Sequence, residues 1–372
     1  MTGHRVVIAP DSFKGTATAT EAARAIAAGW ASVRPDDELR LMPMADGGEG
    51  SIEAFEIAVA GAVRMPVTVT GPDDRPVDTH WLLLPDGAGV VELASTSGIT
   101  LLHPLLPATA HTVGFGEAIA AALDYGVGRL VLAIGGGSSA DGGAGALAAL
   151  GARFLDAGGA FVAPGNHGLG EIATVELAGL RALPPGGVVV LSDVTSPLLG
   201  PDGAASVFGP QKGVWHGDVP AFDARLAHFA GFVEAAVGWR DGAPAMRDTA
   251  GAGSAGGAGF GLLAWGASIL AGSSAVGDIA GLSGAIATAD VVITGEGRFD
   301  GQSDAGKVPS YVRGLAAGGA RALLVAGAIE ADSAGFAAAV SLTQLSGSAD
   351  AAIRDTLHWL ERAGATLAAS PD

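Results

Sequence analysis

Short, largely apolar runs, each stopped by glycine, proline or an acid, set the tightest limit on how this chain folds. Residues 6–8 run into Ala9-Pro10-Asp11, 39–42 into Pro43-Met44-Ala45-Asp46, and 130–134 into Gly135-Gly136-Gly137. Residues 291–294 run into Gly295-Glu296-Gly297, and 323–326 into Gly327. Runs of this kind are strands covered on both faces, and Ala-rich helical stretches follow most of them. Thr18 and Glu21 form a capping box that opens a helix reaching about Val33, and Pro35 closes it. The alternation predicts the α/β class, with a Rossmann-like, doubly wound parallel sheet.

The middle of the chain has another texture. Residues 63–93 read VRMPVTVTG, a turn at Pro72-Asp73-Asp74, VDTHWLLL, a turn at Asp86-Gly87, then VVEL, which predicts a β-meander. Residues 154–191 repeat this strand-and-turn pattern. A length of 372 residues suits about two domains. The expected division is a discontinuous Rossmann-like domain, 1–62 and 284–372, with a second α/β domain inserted at 63–283; residues 121–150 fit either. Residues 249–277 carry no charge, but their dense apolar part, 260–270, is too short to cross about 30 Å of hydrocarbon. A buried helix is expected there, and no membrane span.

A formal net charge of −18 argues against general binding to nucleic acid or to an anionic membrane. Cys is absent, which excludes thiol catalysis, Cys-ligated zinc and disulfides and is compatible with a reducing, cytoplasmic setting. The opening MTGHRVVIAPDS reaches Asp11 before a signal-peptide apolar core can form. The eight His show no metal-binding or triad spacing.

The 20 basic residues are 17 Arg and only three Lys: Lys14, Lys212 and Lys307. Each Lys lies beside a Gly, where a compact ammonium and flexible backbone N–H groups suit a phosphate. Acids gather just past the expected strands: Asp11, Asp46 with Glu49, Asp141, Glu296 with Asp300, and Asp193 after VVVLS. In an open α/β sheet that edge is where ligands sit. Crowded carboxylates repel unless a cation or a substrate holds them there, and Mg²⁺ bound by one or two carboxylates plus nucleotide phosphates fits. The loop from Gly135 through Gly136, Ser138, Ser139 and Asp141 follows a strand and precedes a helix, an arrangement that lets backbone N–H groups approach an anion. Two apparent motifs fail. Residues 251–256 spell GxGxxG without a preceding strand. Residues 301–307 spell most of a Walker A, but Val308 replaces the magnesium-binding hydroxyl, so Lys307 stays only as a phosphate contact.

Taken together, the segments IAPDSFKGT (8–16), PMADGGEGS (43–51), GGGSSADGGAGAL (135–147), SDVTSPLLGPDGAASVFGPQKG (192–213), GAGSAGGAGFG (251–261) and ITGEGRFDGQSDAGKVP (293–309) resemble the type-1 glycerate kinase family of bacterial sugar-acid metabolism. The resemblance implies ATP-dependent phosphorylation of D-glycerate, with 2-phosphoglycerate favoured, in a cleft between the two domains. On this reading Lys14 and Lys212 neutralise the moving phosphoryl group, and Asp46 or Asp193 is the general base. Arg298, with Ser12, Asp11, Gly47 and Gly48, binds glycerate. Glu296 and Asp300 (or Asp46 and Asp193) hold Mg²⁺, and the 135–141 loop with Lys307 takes the nucleotide. The family's Ser-Ala-Thr-Asn before the loop Asp is Gly137-Ser138-Ser139-Ala140 here, and Ser196 stands where Asn is common. A dinucleotide-dependent hydroxyacid dehydrogenase and a non-catalytic anion-binding protein remain the alternatives. A homodimer is compatible with the sequence.

Overall fold

Hydrogen bonding between the predicted runs organises a computed structural model that describes residues 3–238, 245–300 and 308–370. The chain divides into two compact units. The first comprises Met1–Asp46, Glu53–Ala60 and Ser273–Asp372, the second Gly47–Ile52 and Gly61–Gly272. Both are α/β.

In the first unit, β1 (Arg5–Pro10), β2 (Glu38–Leu41), β11 (Val291–Phe299), β12 (Arg321–Ile329) and β13 (Ala338–Ser341) form a parallel sheet ordered β13-β12-β11-β1-β2. The middles of its central strands β1, β11 and β12 are apolar and buried, as expected where helices cover both faces. Successive side chains point to opposite faces. Val6, Ile8, Val291, Ile293, Leu323 and Val325 therefore pack into one core, and Val7, Ala9, Val292, Leu324 and Ala326 into another. The capping box at Thr18 is formed, with the Glu21 amide donating to Thr18 Oγ1 at 3.1 Å, and the helix runs Ala19–Val33.

In the second unit, β3 (Val63–Thr70), β4 (Pro76–Leu83) and β5 (Ala88–Glu92) make the antiparallel meander. The same sheet continues in parallel through β6 (Arg129–Ala133), β9 (Val188–Leu191) and β10 (Ser268–Leu270), in the order β10-β9-β6-β5-β4-β3. A separate antiparallel pair joins β7 (Arg153–Leu155) to β8 (Thr174–Glu176).

The strands depart from the sequence reading in two places. First, Gly295-Glu296-Gly297 and Gly327 do not end their strands. β11 and β12 stay paired as far as Phe299 and Ile329, with Glu296 opposite Ala326 and Arg298 opposite Ala328. Second, residues 260–270 are not one helix. The helix Ser254–Trp265 stops at Gly266, which adopts the left-handed conformation at φ 105°, and the chain then turns into β10. Among the described residues no helix is long and apolar enough to cross a membrane.

Candidate functional site

The order β2-β1-β11-β12-β13 reverses direction between β1 and β11, and crevices for ligands open beyond strand ends at such a switch point. The chain delivers its acids there. Asp11 follows β1, and its amide donates to the Gly295 carbonyl of β11 at 2.8 Å. The Ser12 amide donates to Asp11 Oδ1 at 2.6 Å. Burial pushes Asp11 up to about 7, the charges of Asp46 and Glu296 adding to the shift, while the Ser12 bond and Lys14 oppose it. Lys14 Nζ lies 3.7 Å from Asp46 Oδ2 and its side chain is 85% exposed. Its ammonium is therefore anchored on one side and open to a ligand on the other.

The extension of β11 past the end of β1 carries the remaining groups. Glu296 is buried. Two residues on, Arg298 is largely exposed and lies 3.7 Å from Glu330 at the end of β12. Asp300 follows β11 directly. Lys307 lies outside the described residues. Asp11, Lys14, Asp46 and Glu296 are thus brought to one sheet edge, and Arg298 projects from the same edge.

The second unit gathers a distinct set at the ends of its parallel strands. The Gly135 amide donates to the Gly47 carbonyl at 2.9 Å. Gly135 admits no side chain, because a Cβ would sit 2.5 Å from Gly48 Cα. Ser138 donates through its amide and its hydroxyl to the Ser97 carbonyl, and Ser139 is fully buried. Lys212 is buried, and its ammonium donates to the Gly137 carbonyl. Burial pulls Lys212 down to about 8, although Asp141 draws the other way. Asp141 is itself fully enclosed, accepting from the Thr112 amide and hydroxyl and from the Gly143 and Gly145 amides. Its oxygens shape the loop. Asp193, just beyond β9, is exposed and accepts from the Gly272 amide at 2.7 Å.

The GxGxxG stretch has a packing explanation. Ala255, Gly256 and Gly257 are left-handed, and the Gly256 carbonyl accepts from the Gly142 amide. A Cβ on Gly256 would lie 2.0 Å from the Ser139 carbonyl oxygen, so these glycines let two loops press together.

Two acids escaped the sequence reading. Glu330 became visible only once β11 and β12 were seen to extend side by side. Glu92 did have a signal, since it is the single acid within the apolar VVEL run.

An α/β chain that collects carboxylates, an exposed ammonium and glycine-rich turns at strand ends is built to handle small anionic substrates and phosphoryl groups. The comparisons name the group. A profile described as "Glycerate kinase family" matches residues 6–370. A glycerate kinase of Bacillus subtilis (strain 168) is 42% identical over 313 residues, covering 82% of this chain and 80% of the relative. A glycerate 2-kinase of Escherichia coli (strain K12) is 38% identical over 84% of this chain and 82% of its own length. A crystal structure from Salmonella typhimurium LT2, provisionally assigned as glycerate kinase 2, superposes with a TM-score of 0.82 at 35% identity, covering 99% of this chain and 98% of that one. This chain belongs to the glycerate kinase family, and its chemistry is that of a kinase. Neither the dehydrogenase nor the non-catalytic alternative finds support.

Proposed function

We propose that the protein transfers the γ-phosphoryl group of ATP to the 2-hydroxyl of D-glycerate, releasing 2-phosphoglycerate and ADP. The observation that carries this reading is the switch-point edge of the first unit, where Asp11, Lys14, Asp46 and Glu296 share one electrostatic environment in a member of a kinase family. The glycerate oxygen attacks the γ-phosphorus, the bond to the β–γ bridging oxygen breaks, and the hydroxyl proton passes to a carboxylate.

Asp193 is our choice for that base. It lies exposed just beyond β9, and its Oδ1 is oriented by the Gly272 amide. Lys14, paired with Asp46 but 85% exposed, presents its ammonium to the transferring group and offsets its charge. Lys212 acts less directly: buried beneath the 135–137 turn, it fixes the Gly137 carbonyl and so the backbone N–H groups offered to the nucleotide. Ser138 and Ser139 shape that turn, and Asp141 braces it. Arg298 presents a fork to the glycerate carboxylate, with Ser12, Gly47 and Gly48 as further contacts. Lys307 is a phosphate contact within this proposal.

The donor set fits magnesium. Among the described residues no three acids or histidines converge into a complete metal site. Mg²⁺ normally takes one or two carboxylates and completes its shell with phosphate oxygens and water. Asp11 is pushed up partly by its acidic neighbours, a crowding that a divalent cation relieves. Glu296 and Asp46, or Asp300, would hold the ion, which would shield the triphosphate charge. Cytoplasmic residence is part of the same proposal, because ATP is supplied there.

The direct test is to incubate the protein with Mg-ATP and D-glycerate and identify the product by ³¹P NMR. A phosphomonoester on C2 is expected. Signal at C3 would overturn the choice of hydroxyl, and none at all would overturn the function.

A further inference from the structure

The phosphoryl-transfer scheme leaves one buried acid unused. Glu92, the last residue of β5, is 6% exposed, and its Oε2 accepts from the Ile52 amide at 3.1 Å. The Gly50 and Ser51 backbone adds to the favourable electrostatics of the same carboxylate, while the Ser51 amide itself donates to the Gly48 carbonyl at 3.3 Å. These residues belong to the opening of the helix Ser51–Ala58, whose first N–H groups lack intrahelical partners and whose dipole favours a negative charge. The other end of this loop is held differently. The Gly47 carbonyl accepts from the Gly135 amide, and the Gly48 carbonyl accepts from Ser51 Oγ at 2.7 Å. Gly47 itself has φ +86° and lies so close to β9 that a Cβ would sit 2.4 Å from the Leu191 carbonyl oxygen. Residues 47–52 are gripped at both ends.

Val90, Val91 and Leu93, the neighbours of Glu92, are all buried and apolar, so packing alone would favour another apolar residue. Enclosing an acid costs free energy unless it is hydrogen-bonded, and here the donor, the Ile52 amide, comes from this one loop. We propose that Glu92 is a positioning residue for the substrate loop: its carboxylate sets the conformation of residues 47–52, and with it the Gly47-Gly48 backbone that meets glycerate. The inference rests on the reaction scheme above. Burial, helped by the charge of Glu49, pushes Glu92 up to about 7, against the pull of the backbone at residues 50–52. Glu49 is the charged side chain that acts on it among the described residues. Taking up a proton removes acceptor strength just where the Ile52 N–H needs it. The grip therefore weakens as pH falls through about 7.

The test compares the intact protein with Glu92→Gln, using both kinetics and amide hydrogen exchange. At pH 8 the variant should raise KM for D-glycerate about ten-fold while KM for ATP stays within about two-fold, as expected for a lost charge-assisted bond in a substrate loop. At pH 6 the two proteins should converge, because the native carboxyl is then largely neutral, like the glutamine amide. Exchange at residues 50–52, corrected for intrinsic rate, should quicken in the native protein between pH 8 and 6 and stay level in the variant. A KM ratio independent of pH, or equal exchange in both proteins, overturns the proposal. Should the variant not fold, the native exchange profile decides alone: quickening supports the grip, and a flat profile refutes it. Exchange is read without substrate, so failure of the kinase reading would show separately, as an unphosphorylated glycerate.

Discussion

Charge placement on individual side chains makes the sharpest predictions. Lys14 is largely exposed and paired only across 3.7 Å, so Lys14→Met should leave the unfolding midpoint unchanged. If the lysine meets the phosphoryl group, the same change should cut kcat/KM by about two to three orders of magnitude, the size of losing one preorganised electrostatic contact. Steady-state kinetics and urea denaturation on one preparation check both halves. For Asp193→Asn, kcat should fall steeply while KM for glycerate holds, which separates a base from a binding group. Asp11 supplies a pH signature. Its folded-state value, raised from 3.8 to about 7, means the folded protein binds more protons than the unfolded chain between those limits. Stability contributed by this group therefore declines as pH climbs through that window, and the cost of ionisation is fully present above about 7. In metal-free buffer Asp11→Asn should melt with the native protein near pH 4 and above it at pH 8. A Tm difference that does not change with pH would contradict the burial argument.

At the scale of elements, the capping box and the loop contacts predict different costs. Thr18→Ala removes the side-chain acceptor of the Glu21 amide and should cost about 1 kcal/mol in urea unfolding. Gly256→Ala should cost more, about 2–4 kcal/mol, because φ is +69° and the new methyl would press on the Ser139 carbonyl. Elements with a local cause were readable in the chain. The capping box, the meander with its two turns, and the central strands all follow from residues close in sequence. The ends of β11 and β12 were not readable, since Gly295 and Gly327 look like terminators. Each is instead accommodated by the facing strand: a Cβ on Gly327 would meet the Gly297 carbonyl at 2.3 Å. Ser268–Leu270 was likewise opaque, because a short apolar segment becomes a strand only when β9 lies ready to pair with it.

For the whole molecule, each unit contributes its own cluster, the first Lys14 with the acids around Asp11, the second Lys212 with the glycine turn and Asp193. The proposed reaction needs both in one turnover. Losses of kcat in Lys14→Met and Asp193→Asn should then be strongly non-additive in the double variant. A product of the two single effects would mean that the groups act independently.

Residue type and short spacing alone determined the α/β class, the glycine-flanked lysines and the acids near the ends of the strands, because each depends on backbone preference or hydrophobic pattern over a few positions. Only the tertiary structure decided what those groups face. It buried Lys212 under a carbonyl while leaving Lys14 in the open, enclosed Asp141 among amides, pushed Asp11 toward neutrality, and turned Glu92 onto a loop 40 residues upstream. Burial and donor geometry arise when distant segments pack against each other, and those two quantities govern how a charged group behaves.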